Sequence, residues 1–382
     1  MKTEKTGKTI YLGHYGEGKR KRQSSPACNA MMKYVAGAIA GSGIKLTILS
    51  PAQLEEKEKL GEETIELFDN CECTFLPSVK KSHRYNLPLR FVKRMIKAGN
   101  LKKKLLSLLN DGDTLIVYHS LALMNIVRYI VKKKKIHLIL QVCEIYADVL
   151  ENDRIRKKEM EFIKIADSYI FSSALLEKQL NTEHKKYTIC LGQYSSEDCT
   201  TDIKNDGKIH VVYAGTFDLR KGVIAALEAT RYLDENYHLH VLGFGTDQEV
   251  GYVKQKIQEI KALTKCDISF EGCLRGKEYV EFLQKCDIGL STQDPNAPFN
   301  ATSFPSKILS YLSNGLKVVS IKIPAIDSSA VGKCLYYYTE QTPEQISNAI
   351  KEAGLSDSYD GRAIIKALDE DFKSDVFDII KL

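Results

Sequence analysis

The chain has 382 residues, 43% apolar and 27% charged, enough for two α/β domains of roughly 200 residues or fewer and unlike a disordered chain. No apolar run approaches the roughly 20 residues that span a bilayer, and the opening MKTEKTGKTIYLG enters a strand without a signal-peptide apolar stretch, so a cytoplasmic protein is expected. The ten cysteines form no C-x-x-C pair, and Cys71 and Cys73 are too close for a zinc knuckle; reduced, mostly buried thiols and no metal are expected.

The net charge of +6 hides an asymmetry. Residues 1–200 hold 34 Lys and Arg against 23 Asp and Glu, a net of +11, whereas the remainder carries −5. Residues 80–135 alone contain 15 basic residues and two acidic ones, Asp111 and Asp113. Such a block makes a surface field rather than a fold.

Taken in chain order, KTIYLGHYGEG reads as a buried strand and glycine turn, SPACNAMMKYVAGAIAGSG as a helix, and IKLTILSP as the next strand. LPLRFVKRMIKAGNLKKKLLSLL, residues 87–109, sets apolar residues against Arg and Lys at helical intervals, interrupted by Gly99-Asn100. Strands follow at DTLIVYHS and KIHLILQVCE, then a helical stretch at RKKEMEFIKIADSYIFSSALLEKQL. Residues 194–208, polar and poorly patterned, mark a domain boundary. The pattern restarts with IHVVYAGTFD, a helix at VIAALEATRYL, HLHVLGFG, a further helix, DISFEGCL, a short helix at EYVEFLQKC, and DIGLST. This alternation predicts two doubly wound domains, 1–195 and 209–360, each with a parallel sheet covered on both faces, and a C-terminal helix at 361–382 that packs back on the first. Their ligand crevices belong at the carboxyl ends of the strands.

Neither the P-loop nor the G-x-G-x-x-G fingerprint is present. Two segments can still meet a phosphate. In VVYAGTFDLRKG a strand runs into a glycine turn, and Lys221 precedes a helix. In FNATSFPSKILSYLSNG, Ser303 is expected as N-cap, Pro305 fits the first turn, and Asn314-Gly315 closes the helix. The first turn, with Ser306 and a fully charged Lys307, would offer free N–H groups and positive charge to an anion; the plain alternative is a capped core helix.

Y-A-G…K-G, V-L-G-F-G, F-E-G, C-D-I-G-L-S and F-P-S-K-I-L-S-Y-L-S-N-G-L-K-V-V-S, in this order and spacing, resemble the donor domain of family-four glycosyltransferases of the GT-B fold. The resemblance implies two Rossmann-like domains facing a central cleft, a nucleotide-diphosphate sugar held by the second, and transfer with retention of configuration. It implies no cofactor and no metal, since cationic side chains take the place of magnesium on the leaving diphosphate. Lys221 would be that clamp, with Gly16, Thr216, Arg220, Ser303, Ser306 and Lys307 around the diphosphate and Gly243, Gly272, Leu274 and Ser310 towards the nucleoside. Two departures are plain. Thr216 stands where many members have arginine, with Arg220 as a substitute, and the family's glutamate pair falls on Thr302 and Ser310. A serine cannot hold both ribose hydroxyls with charge, so weaker donor binding or another residue in that role is expected.

The first domain would bind the acceptor, with His119 near the transferred sugar and Glu144, ahead of Tyr146 and Asp148, positioning or deprotonating an acceptor hydroxyl. The partners expected are a nucleotide-diphosphate sugar, a glycan acceptor, lipid-linked in polysaccharide assembly, and an anionic membrane surface met by residues 80–135, with peripheral attachment to the inner face of the plasma membrane. Nucleic acid is not expected, because no recognition motif or aromatic platform accompanies the charge. The alternatives are a nucleotide-sugar epimerase on the same fold and a non-catalytic nucleotide-sugar-binding protein, the latter motivated by Thr216 and Ser310.

Overall fold

A computed structural model describes residues 7–55, 60–78, 87–150, 152–196, 206–297, 300, 302–356 and 361–381. Much of the segment 194–208, and residues 80–86 of the basic block, lie outside these. The chain forms two compact units, one of Met1–Ser172, Leu176–Cys190 and Asp371–Leu382, the other of Ser173–Leu175 and Leu191–Glu370.

The first unit is built on eight strands: β1 (Thr9–Leu12), β2 (Leu46–Ser50), β3 (Glu63–Phe68), β4 (Cys71–Phe75), β5 (Thr114–Tyr118), β6 (His137–Val142), β7 (Ser168–Phe171) and β8 (Lys186–Ile189). They lie in the order β3-β4-β2-β1-β5-β6-β7-β8. Every pairing is parallel except β3 with β4. The central strands are apolar along their whole length because helices cover both faces: Ile10 and Leu12 of β1, Val117 of β5 and Leu140 of β6 are buried in one cluster with Leu105 and Phe162. Asp371–Leu382 belong to this unit: Phe372 stacks on Tyr34 with ring centroids 5.5 Å apart, and Asp375 accepts from the Thr188 hydroxyl.

Three expectations are corrected here. The sheet is not purely parallel: β3, whose ETIELF alternates between half-buried and exposed positions, is an antiparallel edge strand. The stretch from Arg156 to Leu180 is not one helix but Asp153–Ile163, β7 and Ala174–Leu180, since Tyr169, Ile170 and Phe171 are buried as a central strand. The basic helix Leu87–Leu108 runs through Gly99-Asn100 without a break, the roughly 1 kcal/mol propensity cost of glycine being too small to end it.

The second unit has β9 (Ile209–Thr216), β10 (Tyr237–Phe244), β11 (Asp267–Gly272), β12 (Ile288–Ser291), β13 (Lys317–Ile321) and β14 (Tyr336–Tyr338), in the all-parallel order β11-β10-β9-β12-β13-β14. Its core gathers Val211, Ile288, Leu290, Val318 and Tyr311, all fully buried. Both sheets have a switch in strand order: β1 against β5 in the first, β9 against β12 in the second. A doubly wound sheet binds its ligands at the carboxyl ends beside such a switch.

Candidate functional site

In the second unit the switch point lies between the exits of β9, at Gly215-Thr216, and β12, at Ser291. The two exits are fastened together. After β9 the chain makes a single 3-10 turn, Leu219–Lys221, capped by the Asp218 carboxylate, which accepts from Arg220 N at 2.9 Å. Gly222 then turns left-handed (φ 87°), and a Cβ there would sit 1.7 Å from the Thr292 carbonyl oxygen. The Thr292 hydroxyl donates to the Gly222 carbonyl at 2.8 Å. Only glycine gives both the conformation and the clearance.

The helix Lys307–Ser313 docks on this junction through Tyr311, whose oxygen accepts from Ala214 N at 2.8 Å and donates towards the Leu290 carbonyl at 3.3 Å. That anchor sets Lys307, four residues earlier on the same helix face. Its ammonium nitrogen is buried without a hydrogen-bond partner and lies 4.0 Å from the centroid of the Tyr213 ring. A Cβ on Gly215 would come within 3.2 Å of it. Tyr213 is itself fixed, its hydroxyl 3.0 Å from the Thr216 carbonyl and 3.1 Å from that of Lys221. Burial, and then the charge of Lys221, push the Lys307 ammonium down to about 7. The expected fixed charge is therefore corrected to a lysine near its titration midpoint at neutral pH. The ring supplies the attraction that an anion would otherwise provide.

The rest of the segment also departs from expectation. Ser303 is not the N-cap; its hydroxyl is buried with no hydrogen-bond partner, and the helix is entered at Ser306, which makes no side-chain cap. Pro305 disfavours helical backbone at Phe304, which would be the first helical residue after an N-cap at Ser303. Arg220 is turned onto Asp218, with Nε 3.0 Å from Oδ1 and Nη2 2.7 Å from Oδ2, and this pairing holds the Asp218 carboxyl below the usual range. Gly243 on β10 pairs in register with Gly215, so close that a Cβ would meet the Gly215 carbonyl oxygen at 2.0 Å. Gly272 ends β11 with φ 74°, followed by half-buried Leu274. Ser310, where the family resemblance puts a carboxylate, has its hydroxyl 3.2 Å from that of Tyr279. The structure thus gathers Thr216, Lys221, Lys307 and Gly243 around Gly215, while Gly272 and Leu274 lie at and after the end of β11 and Ser310 meets Tyr279.

In the first unit the glycine turn after β1 and His119 after β5 flank the other switch. Gly16 N donates to Asn29 Oδ1 at 2.9 Å, and a Cβ on Gly16 would meet the Ser24 hydroxyl at 2.1 Å. His119 is only 1% exposed. Its Nε2 lies 2.7 Å from the fully buried Glu159 carboxylate, which also accepts from Tyr146 N at 2.9 Å and Ala147 N at 2.8 Å. His119 Nδ1 is buried with no hydrogen-bond partner. Glu144, partly buried just beyond β6, adds its charge to burial in raising the Tyr146 phenol. Asp148 is ion-paired with Arg156 at 2.7 Å.

Sequence reading missed Glu159, Asn29 and Tyr213. A signal for Glu159 was present: it shares the helical spacing of Ile155, Phe162 and Ile163, so it is an acid on an apolar stripe.

Comparison with known proteins gives two findings. Residues 208–354 match the model of the family Glycosyl transferases group 1, and the sheet of the second unit with both lysines lies inside the match. Among solved structures, an α,α-trehalose-phosphate synthase (UDP-forming) from Burkholderia xenovorans in complex with glucose-6-phosphate superposes with a TM-score of 0.68, at 10% identity over 98% of each chain. An α,α-trehalose 6-phosphate synthase from Burkholderia multivorans gives 0.65 at 10% identity over 98% of this chain and 94% of that one. An E. coli trehalose-6-phosphate structure bound with UDP-2-fluoro glucose gives 0.66 at 9% identity, over 98% and 95%. The fold is GT-B. No curated protein sequence matches the chain. Within this GT-B chain, the stretch that matches the glycosyltransferase group 1 model is residues 208–354, and the Gly215 junction lies near its start.

Proposed function

We propose that this GT-B chain transfers a hexosyl-type sugar from a nucleotide-diphosphate sugar to a glycan acceptor, with retention of configuration. One observation carries the reading: the Lys307 ammonium, buried and without a hydrogen bond, stands beside Gly215 at the strand switch of a glycosyltransferase group 1 domain, with Lys221 close enough to depress it. A leaving diphosphate develops charge as the glycosidic bond breaks, and preorganised cations lower the energy of that state without reorganising. Lys307 and Lys221 are the cations we assign to it, with Gly215 leaving room for close approach and no metal needed. Glu144 is the residue we assign to the acceptor hydroxyl, and His119, held by Glu159, the one that shapes the floor beneath it. Retention is supported by a structure of trehalose-6-phosphate synthase described as bearing on glycosyl transfer with retention.

For the acceptor we favour a lipid-linked glycan in polysaccharide assembly, reached from the cytoplasmic membrane face. No described helix is long and apolar enough to cross a membrane. The basic helix Leu87–Leu108 nevertheless exposes Leu89, Phe91, Val92, Met95 and Ile96 among Lys93, Arg94 and Lys97, the composition of a helix that lies in an anionic interface.

The test is thermal stabilisation by UDP, GDP, CMP and their sugar conjugates, for the native chain and for Lys221→Ala. A ligand at a hundredfold excess over its Kd stabilises by about 2.7 kcal/mol. A shift with one nucleotide, lost in the variant, supports the donor site and names its base. No shift with any nucleotide overturns it.

A further inference from the structure

Away from the Gly215 junction, three histidines meet on one face of the second sheet. His210 lies near the start of β9; His238 and His240 lie two apart on β10, and His238 is the register partner of His210. One ring nitrogen from each lies within 4.8 Å of the other two. His210 and His240 are buried and His238 partly so.

The hydrogen bonds fix the tautomers. His240 Nδ1 is 2.8 Å from Glu271 Oε1, and a carboxylate only accepts, so the proton sits on Nδ1 and Nε2 keeps its lone pair. His210 Nε2 is 3.1 Å from Asp206 Oδ1, so by the same rule its Nδ1 keeps a lone pair. These two lone-pair nitrogens, His210 Nδ1 and His240 Nε2, face each other at 2.9 Å inside the protein. Two acceptors at that distance need a cation between them. His238 points the same way: its Nε2 is 2.9 Å from the Ser269 oxygen, whose own proton goes to Glu271, so Nε2 donates and Nδ1 is the unprotonated nitrogen.

We propose that His210, His238 and His240 form a structural binding site for a divalent transition-metal ion of the zinc class. Each imidazole offers a neutral nitrogen, and each has its other nitrogen held by an outer group: Asp206 for His210, Ser269 for His238 and Glu271 for His240. Outer carboxylates orient a ligating imidazole and raise its basicity. Zinc–nitrogen bonds of about 2.0–2.1 Å at a tetrahedral angle put ligand nitrogens about 3.4 Å apart, so the facing pair has to open by about half an ångström, and the third nitrogen, within 4.8 Å, has to close by about 1.4 Å at most. His238 also lines a cavity of about 430 Å³ with Lys261, Cys266, Asp267 and Ser269, which gives an ion a way in. From His210 to Gly215 is five residues of strand, roughly 16 Å at about 3.3 Å per residue. The ion therefore braces the amino ends of β9 and β10 and takes no part in chemistry at the other end.

The experiment uses the full, tag-free chain stripped with chelator and then titrated with Co²⁺ and with Zn²⁺. The expected result is one equivalent of Co²⁺ with visible d–d absorption of a four-coordinate site, displaced by Zn²⁺, and a rise in Tm with Zn²⁺. Glu271→Gln keeps the size of the side chain, His238→Asn leaves a smaller polar one, and both are checked for native circular dichroism. His238→Asn should abolish stoichiometric binding, and Glu271→Gln should weaken it 10- to 100-fold. The proposal is overturned if the native chain binds no Co²⁺ or Zn²⁺ at micromolar concentration, in which case a shared proton joins His210 to His240. It is equally overturned if a folded His238→Asn variant still binds one equivalent with the same spectrum, which would place the ion on other residues. Nucleotide binding is unaffected by either outcome, so this test and that of the donor site fail separately.

Discussion

The Lys307 ammonium sits 4.0 Å from the centre of the Tyr213 ring with no hydrogen-bond acceptor, and Lys221 is its nearest source of charge repulsion. A lysine depressed from 10.5 to about 7 leaves the folded chain binding fewer protons than the unfolded one between those two values. Stability therefore rises with pH across that window, because the unfolded state holds the extra proton that increasing pH removes. Lys307→Met should remove that slope: the variant is more stable than the native chain near pH 7, and the gap narrows towards pH 10. Urea midpoints at pH 7, 8.5 and 10 read this directly. A diphosphate bound beside Lys307 would restore its proton, so binding at pH 8 should take up a proton. Calorimetry in two buffers of different ionisation enthalpy measures it, and equal heats in both would remove Lys307 from the anion site.

Gly222 joins the β9 exit to the β12 exit, and its left-handed turn leaves no room for a side chain against the Thr292 carbonyl. Gly222→Ala combines positive φ with a backbone clash, and we expect a loss of at least about 2 kcal/mol in denaturant unfolding. Thr292→Val, which removes only the hydroxyl that donates to Gly222, should cost about 1 kcal/mol. If the two variants cost the same, the clash is being relieved by loop movement.

The parts of this architecture that a sequence displays are those set by local periodicity. TIYL, TLIVY and HVVYAG are continuous apolar runs because helices cover both sheet faces, and Asn314-Gly315 closes its helix where a left-handed residue is needed. SYIF reads as part of a helical pattern because four buried residues between two helices carry no period of their own. The Arg220–Asp218 pair lies only two residues apart, yet charge spacing does not say whether an arginine turns to its neighbour or to a ligand. His119 and Glu159 lie forty residues apart, and that contact is made by the sheet, not by the chain. In the sequence Lys307 reads as a full charge, because nothing in its spacing shows the Tyr213 ring or the burial of its ammonium.

Glu159 is the buried carboxylate on which His119 and the turn at Tyr146-Ala147 converge. Glu159→Ala leaves three donors without an acceptor, two of them buried, and the expected cost is about 3 kcal/mol or more. Glu159→Gln keeps one carbonyl oxygen but turns an amide NH₂ towards the remaining donors, so it should lie between the two. Urea unfolding of both variants separates them. Equal stability of Glu159→Ala and the native chain would mean that the His119 ring finds another acceptor.

The helix Leu87–Leu108 carries Phe91 at 65% and Met95 at 61% exposure, one helical turn apart, with Val92 and Ile96 repeating the spacing beside them. Lys93 and Arg94 sit on the same turns, and burial together with the Lys93 charge already pulls the Lys97 ammonium down. Inserted to the acyl boundary, each large side chain would gain about 1.5–3 kcal/mol, and each nearby cation about 1 kcal/mol on an anionic surface. The chain should therefore sediment with phosphatidylserine vesicles and much less with phosphatidylcholine, and raised salt should release it. Phe91→Asp with Met95→Asp should reduce binding at least tenfold while leaving unfolding in urea unchanged, because neither side chain is packed in the core. Equal binding to both vesicle types would set aside the electrostatic part of the reading. No binding to either would leave this apolar face to a protein partner.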